Sequence, residues 1–209
     1  LGDVYKRQVI LYAASPRVGV DKGAMWTTRA WWLMHAFGVN CAVLDGGYEK
    51  SVAESRPIDT TAHLYPPTHF RADGDGQRAV VSKSEVREGL ADGGTCVIDA
   101  LPTASFDGSR DMGYGPNKGH ITGALSLPMD DLLAEDGTFL PADALRQALG
   151  RHGLLDHERV ITYCGGGIAA TVDAFALVLL GHDDVAVYDA SLFEWANEPD
   201  APMTDPSAA

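Results

Sequence analysis

Short runs of β-branched, aliphatic and aromatic residues alternate along the chain with longer apolar stretches of helical period. Residues 9–14, 42–47, 96–100, 159–163 and 185–188 read as strands, and residues 124–127 as a shorter one stopped by Pro128. Their apolar positions run on without alternation, which is the pattern of strands buried on both faces. Helices are expected over residues 24–37, 84–90, 141–149 and 170–180. Ser82 or Ser84 caps the second, Pro141 sits in the first turn of the third, and Gly38, Gly150 and Gly181 stop the first, third and fourth. Strands that alternate with helices imply an α/β fold built on a doubly covered, mainly parallel sheet. Sites in such folds lie beyond the carboxyl ends of strands.

One pattern occurs twice. Val160-Ile161-Thr162-Tyr163-Cys164 reads like Val9-Ile10-Leu11-Tyr12-Ala13, and each leads through a glycine-bearing loop into a long apolar helix and a second strand. The offset is about 150 residues, too long for a solenoid period of roughly 20–50 and suited to a duplicated domain. The expected organisation is a C-terminal part of an inactive copy over residues 1–50, a Pro-, Thr- and Gly-rich linker over 51–82, a complete second copy over 83–203 and a tail over 204–209. Residues 1–8, LGDVYKRQ, read as non-native, and the first copy as truncated ahead of Val9.

Charge and cysteine usage narrow the function. With 16 basic and 29 acidic residues the net charge is −13, which disfavours nucleic acid and anionic membranes as partners. No apolar run reaches the roughly 18 residues that would cross a bilayer. Cys41, Cys96 and Cys164 have no metal-binding spacing and form no disulfide framework, so neither a metal nor another cofactor is expected, and a reducing, cytoplasmic setting is.

Chemistry concentrates in Cys164-Gly165-Gly166-Gly167-Ile168-Ala169-Ala170. A cysteine ends a strand, three glycines follow, and a helix begins. Glycines let the backbone curl until several N–H groups point inward, and the helix N-terminus adds positive potential. A thiol there is expected to have a lowered pKa and to act as a nucleophile, with residues 165–170 cradling an anion. The alternative is a small buried hydrophobe followed by an ordinary loop. Cys41 and Cys96 each start an apolar strand and read as structural.

Taken in order, these segments resemble the tandem-domain rhodaneses, the thiosulfate and 3-mercaptopyruvate sulfurtransferases. Gly119-His120-Ile121-Thr122-Gly123-Ala124 is similar to the stretch ahead of that family's active-site strand. Val185 to Trp195 is similar to its C-terminal signature, and Leu44-Asp45-Gly46-Gly47-Tyr48 keeps the equivalent place in the first copy. The resemblance implies a sulfurtransferase in which Cys164 takes a sulfane sulfur from a small anionic donor as a persulfide. Gly165, Gly166, Gly167, Ile168, Ala169 and Ala170 then bind the substrate, and a thiol, cyanide or a protein thiol accepts the sulfur. It also implies a silent first copy, where Ala13 stands in place of the cysteine, ahead of a longer loop carrying Pro16, Arg17, Asp21 and Lys22.

The chain departs from the family at the donor-binding positions. Asp99-Ala100-Leu101 lacks the arginine of the family's D-x-R, Ser105 stands at a second basic position, and Gly165 and Gly166 match neither thiosulfate- nor mercaptopyruvate-preferring loops. These losses favour an alternative, a persulfide carrier or protein-binding module with little small-donor turnover. Arg110 and Lys118 either restore the missing charge or are solvated, and His120 either orders its loop or acts as a base. Trp26, Trp31 and Trp32 read as core or as an interdomain face. A cysteine phosphatase would need an arginine where Ala170 stands.

Overall fold

The computed structural model describes residues 8–15, 23–62, 64, 66, 67, 69, 71, 76 and 79–208. Residues 1–7 and the loop positions Pro16, Arg17, Asp21 and Lys22 lie outside them.

The core is a five-stranded, all-parallel sheet ordered β3(Val80–Val81), β8(Val185–Tyr188), β7(Arg159–Tyr163), β4(Thr95–Asp99) and β6(Leu125–Ser126). β7 lies between β8 and β4. It pairs Val160 with Val185 and Thr95 with Arg159, and its apolar residues are buried on both faces. Between these strands run the helices α3(Lys83–Asp92), α4(Thr103–Phe106), α5(Ala142–Gly150), α6(Ala170–Leu179) and α7(Ser191–Trp195). α3 opens with a capping box, in which the Ser82 hydroxyl accepts from the Glu85 amide and the Glu85 carboxylate accepts from the Ser82 amide. It stops at Gly93, whose φ of +73° suits glycine, so the helix runs two residues beyond the expected Leu90. Pro141 is the N-cap of α5 rather than a member of its first turn. An antiparallel ribbon of β5(His120–Ile121) and β9(Met203–Thr204) has no counterpart in the sequence reading; two residues are too few for a period to show.

Ahead of this sheet, β1(Val9–Leu11) and β2(Cys41–Val43) pair in parallel, joined by α1(Gly23–Ala36) and followed by α2(Gly47–Ala53). The expected buried strand over 9–14 is corrected here. Only three residues form it, and Ile10 is 52% exposed, because among the described residues one face of the two-stranded sheet is uncovered. α1 packs on α6, with its Trp31 and Trp32 both buried. Trp31 meets Phe175 edge-on at 4.7 Å, and the Trp32 indole N–H donates to the Ala79 carbonyl at 2.8 Å. Trp26, on the same helix, is partly exposed. No described helix is long and apolar enough to cross a membrane.

Candidate active site

Cys164 follows the carboxyl end of β7, and the loop 165–169 carries the chain into α6. Three constraints give this loop its shape. Ser191, fully buried, accepts the Cys164 and Gly167 amides on one hydroxyl, each at 3.1 Å, and donates to the Tyr188 carbonyl at 2.7 Å. The Leu192 and Phe193 amides donate to the Cys164 and Gly165 carbonyls at 3.1 and 2.9 Å. The Thr162 hydroxyl donates to the Ala170 carbonyl at 2.9 Å, which ties the helix start back to the strand. Ser191 holds this place at a φ of +52°, a left-handed conformation that costs a side-chain-bearing residue about 1–2 kcal/mol.

The three glycines meet different demands. Gly167 has a φ of +73°, and a Cβ there would stand 2.6 Å from the Asp189 carbonyl oxygen. A Cβ on Gly166 would press on the Phe193 ring at 3.0 Å. One on Gly165 would overlap the Tyr114 ring, which lies across the loop and packs edge-on against Phe193.

The backbone N–H groups of Ala170, Gly166 and Ala169 favour the charged form of the Cys164 sulfur and draw its pKa down. Burial works the other way and is the larger effect, with Asp99 adding to it, so the thiol titrates above its ordinary value. The expected lowering is therefore corrected. Cys164 is only 3% exposed, and three amides do not replace the hydration that a thiolate gives up. Cys41 and Cys96 are also raised by burial, Cys96 to about 11, and nothing comparable to the glycine loop surrounds them.

Asp99, at the end of β4, is wholly buried. Burial pushes its carboxyl up to about 6, against the Leu101 amide and the Tyr163 hydroxyl, which pull it down. Leu101, at the family's arginine position, is buried in the core, whereas Ser105 lines a pocket beside the loop with Arg110, Asp111, Tyr114, Lys118 and Leu192. The pocket is tight, about 10 Å³, room for roughly one water. Arg110 faces Tyr114 closely enough to lower its pKa, against the larger effect of burial. His120 stacks on Phe106 at 3.6 Å and its Nδ1 shares a 2.7 Å hydrogen bond with the Phe106 carbonyl, which orders the segment ahead of β6.

Three residues that touch this loop escaped the sequence reading. Ser191 stands inside the C-terminal signature, where its hydroxyl was the available signal. Tyr114 lies in a glycine-rich stretch without periodicity. Arg29 stands on α1 between tryptophans, and its guanidinium donates to the Gly167 carbonyl at 3.1 Å and pairs with Asp189. No group of three or more His, Cys, Asp or Glu side chains among the described residues could hold a metal.

Comparison with known proteins agrees with this architecture. Residues 82–198 match the rhodanese-like domain. The 3-mercaptopyruvate sulfurtransferase of Homo sapiens is 28% identical over 90% of this chain and 62% of its own length. The thiosulfate sulfurtransferase of Gallus gallus is 31% identical over 85% and 61%, and the 3-mercaptopyruvate sulfurtransferase of Escherichia coli K12 is 31% identical over 88% and 66%. The chain thus spans less than two thirds of the length of these relatives. Among solved structures, the anaerobic ergothioneine biosynthesis enzyme from Chlorobium limicola superposes with a TM-score of 0.81 at 22% identity, over 95% of this chain and 51% of that one, a likeness of fold.

Proposed function

Because the chain belongs to the rhodanese-like domain family, we propose that it is a sulfurtransferase that carries a sulfane sulfur on Cys164. The observation that carries this reading is a buried cysteine at a strand's carboxyl end, ahead of three glycines and the start of α6, in a loop whose Cys164 and Gly167 amides are pinned on the Ser191 hydroxyl. In the first half-reaction the Cys164 thiolate attacks the outer sulfur of thiosulfate. The S–S bond breaks, sulfite leaves with its electron pair, and Cys–S–S⁻ remains. With 3-mercaptopyruvate the C–S bond breaks instead, and the carbon takes a proton to leave pyruvate. In the second half-reaction cyanide, a thiol or a protein thiol attacks the outer sulfur and the Cys164 thiolate returns.

Residues 165–170 stabilise the persulfide anion through their N–H groups and the start of α6. Arg110 and Lys118, on the pocket beside the loop, draw the anionic donor in place of the family arginines absent at Leu101 and Ser105. The unit from β1 to α2 is an unreactive copy of the unit from β7 to α7, with the stretch between α2 and β3 as linker in place of 51–82, and β3 to β9 as the reactive domain in place of 83–203, because α2 runs to Ala53 and β3 pairs with β8 in the core sheet. A cytoplasmic location suits a free reactive thiol.

The tight pocket and the missing arginines favour a second reading, a carrier that accepts sulfur only from a persulfidated protein. Incubation with thiosulfate or 3-mercaptopyruvate, followed by intact-mass measurement, separates the two. A gain of about 32 Da, the mass of one sulfur, that is lost in Cys164→Ser and kept in Cys41→Ser and Cys96→Ala supports the enzyme. A gain mapped to Cys41 or Cys96 overturns the assignment of Cys164. A gain only from a protein persulfide supports the carrier.

A further inference from the structure

We propose that Arg29, contributed by the first half of the chain, is a positioning residue that aims the Ile168 N–H at the sulfur held on Cys164. α1 touches the loop through two successive carbonyls. Arg29 Nη1 donates to the Gly167 carbonyl at 3.1 Å. The Thr171 hydroxyl donates to the Ile168 carbonyl at 2.7 Å and shares a 2.9 Å hydrogen bond with the buried Thr28 hydroxyl of α1.

A trans peptide is planar, so its C=O and N–H point in opposite directions. The Ile168 carbonyl turns to the threonine pair, so the Ala169 N–H on the same peptide points the opposite way, to the side on which it lowers the Cys164 pKa. The preceding peptide follows the same geometry. With the Gly167 carbonyl drawn to Arg29, the Ile168 N–H is directed away from α1, to the side on which its neighbour meets the sulfur.

Arg29 also pairs with Asp189, whose backbone and carboxylate crowd Gly167 so closely that no Cβ fits between them. The guanidinium therefore joins the loop to the segment that carries Ser191. The inactive half thereby supplies a part of the anion cradle that the reactive half lacks within itself. The inference rests on the reading of residues 165–170 as that cradle, and its test needs no sulfur donor.

The rate of Cys164 alkylation by iodoacetamide, mapped by peptide mass spectrometry, is measured from pH 7 to 11 in the full chain for wild type, Arg29→Met and Trp32→Phe. Trp32→Phe removes the Trp32–Ala79 hydrogen bond at the same interface and serves as the control for loss of packing. A hydrogen bond to the charged form favours it. Arg29→Met is expected to move the alkylation midpoint up by roughly half to one pH unit, which is about three- to tenfold slower alkylation below the midpoint. Trp32→Phe is expected to leave the midpoint in place while lowering the melting temperature. An Arg29→Met profile that superimposes on that of Trp32→Phe would overturn the proposal. Arg29→Leu, which cannot donate to the Gly167 carbonyl, replaces the methionine variant if that one does not fold, and carries the same two outcomes. Wild-type protein that accepts sulfur from no donor yet shows the Arg29-dependent shift sinks the sulfurtransferase reading alone; sulfur transfer without the shift sinks this inference alone.

Discussion

Removing the Ser191 hydroxyl tests how the loop is held. Ser191→Ala leaves the Cys164 and Gly167 amides, which it receives at 3.1 Å, without that acceptor in a fully buried place. A buried donor left unsatisfied costs about 1–3 kcal/mol, so two give roughly 2–6 kcal/mol, and relaxation of the loop brings the expected loss to about 3 kcal/mol. For a chain of this length that corresponds to a fall in melting temperature of about 6–12 °C. Ser191→Gly loses the same hydroxyl but relieves the left-handed φ of +52°. The relief of about 1–2 kcal/mol is partly offset by the greater freedom of unfolded glycine, so the glycine variant should be about 0.5–1 kcal/mol more stable than the alanine variant. Urea unfolding followed by tryptophan fluorescence measures both. Ser191→Ala within about 0.5 kcal/mol of wild type would show that the two amides find other partners. An alanine variant at least as stable as the glycine variant would refute the account of strain.

Two further outcomes follow from the burial of the site. Asp99 titrates at about 6 in the folded chain against an ordinary 3.8, so the folded state binds more protons between these values and stability falls as pH rises through that window. The difference is worth about 3 kcal/mol at 1.36 kcal/mol per unit. Asp173, also raised by burial, acts in the same direction, whereas Glu85, lowered by its capping contacts, acts oppositely. Comparing wild type with Asp99→Asn by urea unfolding at pH 4.5 and 7.5 isolates the Asp99 share, and equal pH dependence in the two would refute it. Tyr114→Ala uncovers the loop at Gly165 and should speed alkylation of Cys164 several-fold at fixed pH; an unchanged rate would mean that the ring does not guard the thiol.

Local signals made the central unit legible. β7 and β8 announce themselves by unbroken apolar runs, α6 by its length and its stop at Gly181, and the loop by three glycines behind a cysteine. The capping of α3 was legible to within a choice of two serines, because a cap acts on amides two or three residues away. The direction of the Cys164 pKa was not. The amides that lower it are written in the loop sequence, but the burial that outweighs them comes from elements remote in sequence.

The same division runs through the whole site. By itself the sequence determined the longer strands and helices and the place of the Cys164–glycine loop between β7 and α6, since each depends on residues within about ten positions of one another. Only the tertiary structure decided what closes on that loop. Tyr114 covers Gly165 from a segment without periodicity, and Arg29 reaches Gly167 across 138 residues of chain. Such contacts leave no local pattern, because they form only where packing of α1 on α6 and of Tyr114 on the loop after β7 has already brought distant backbone together.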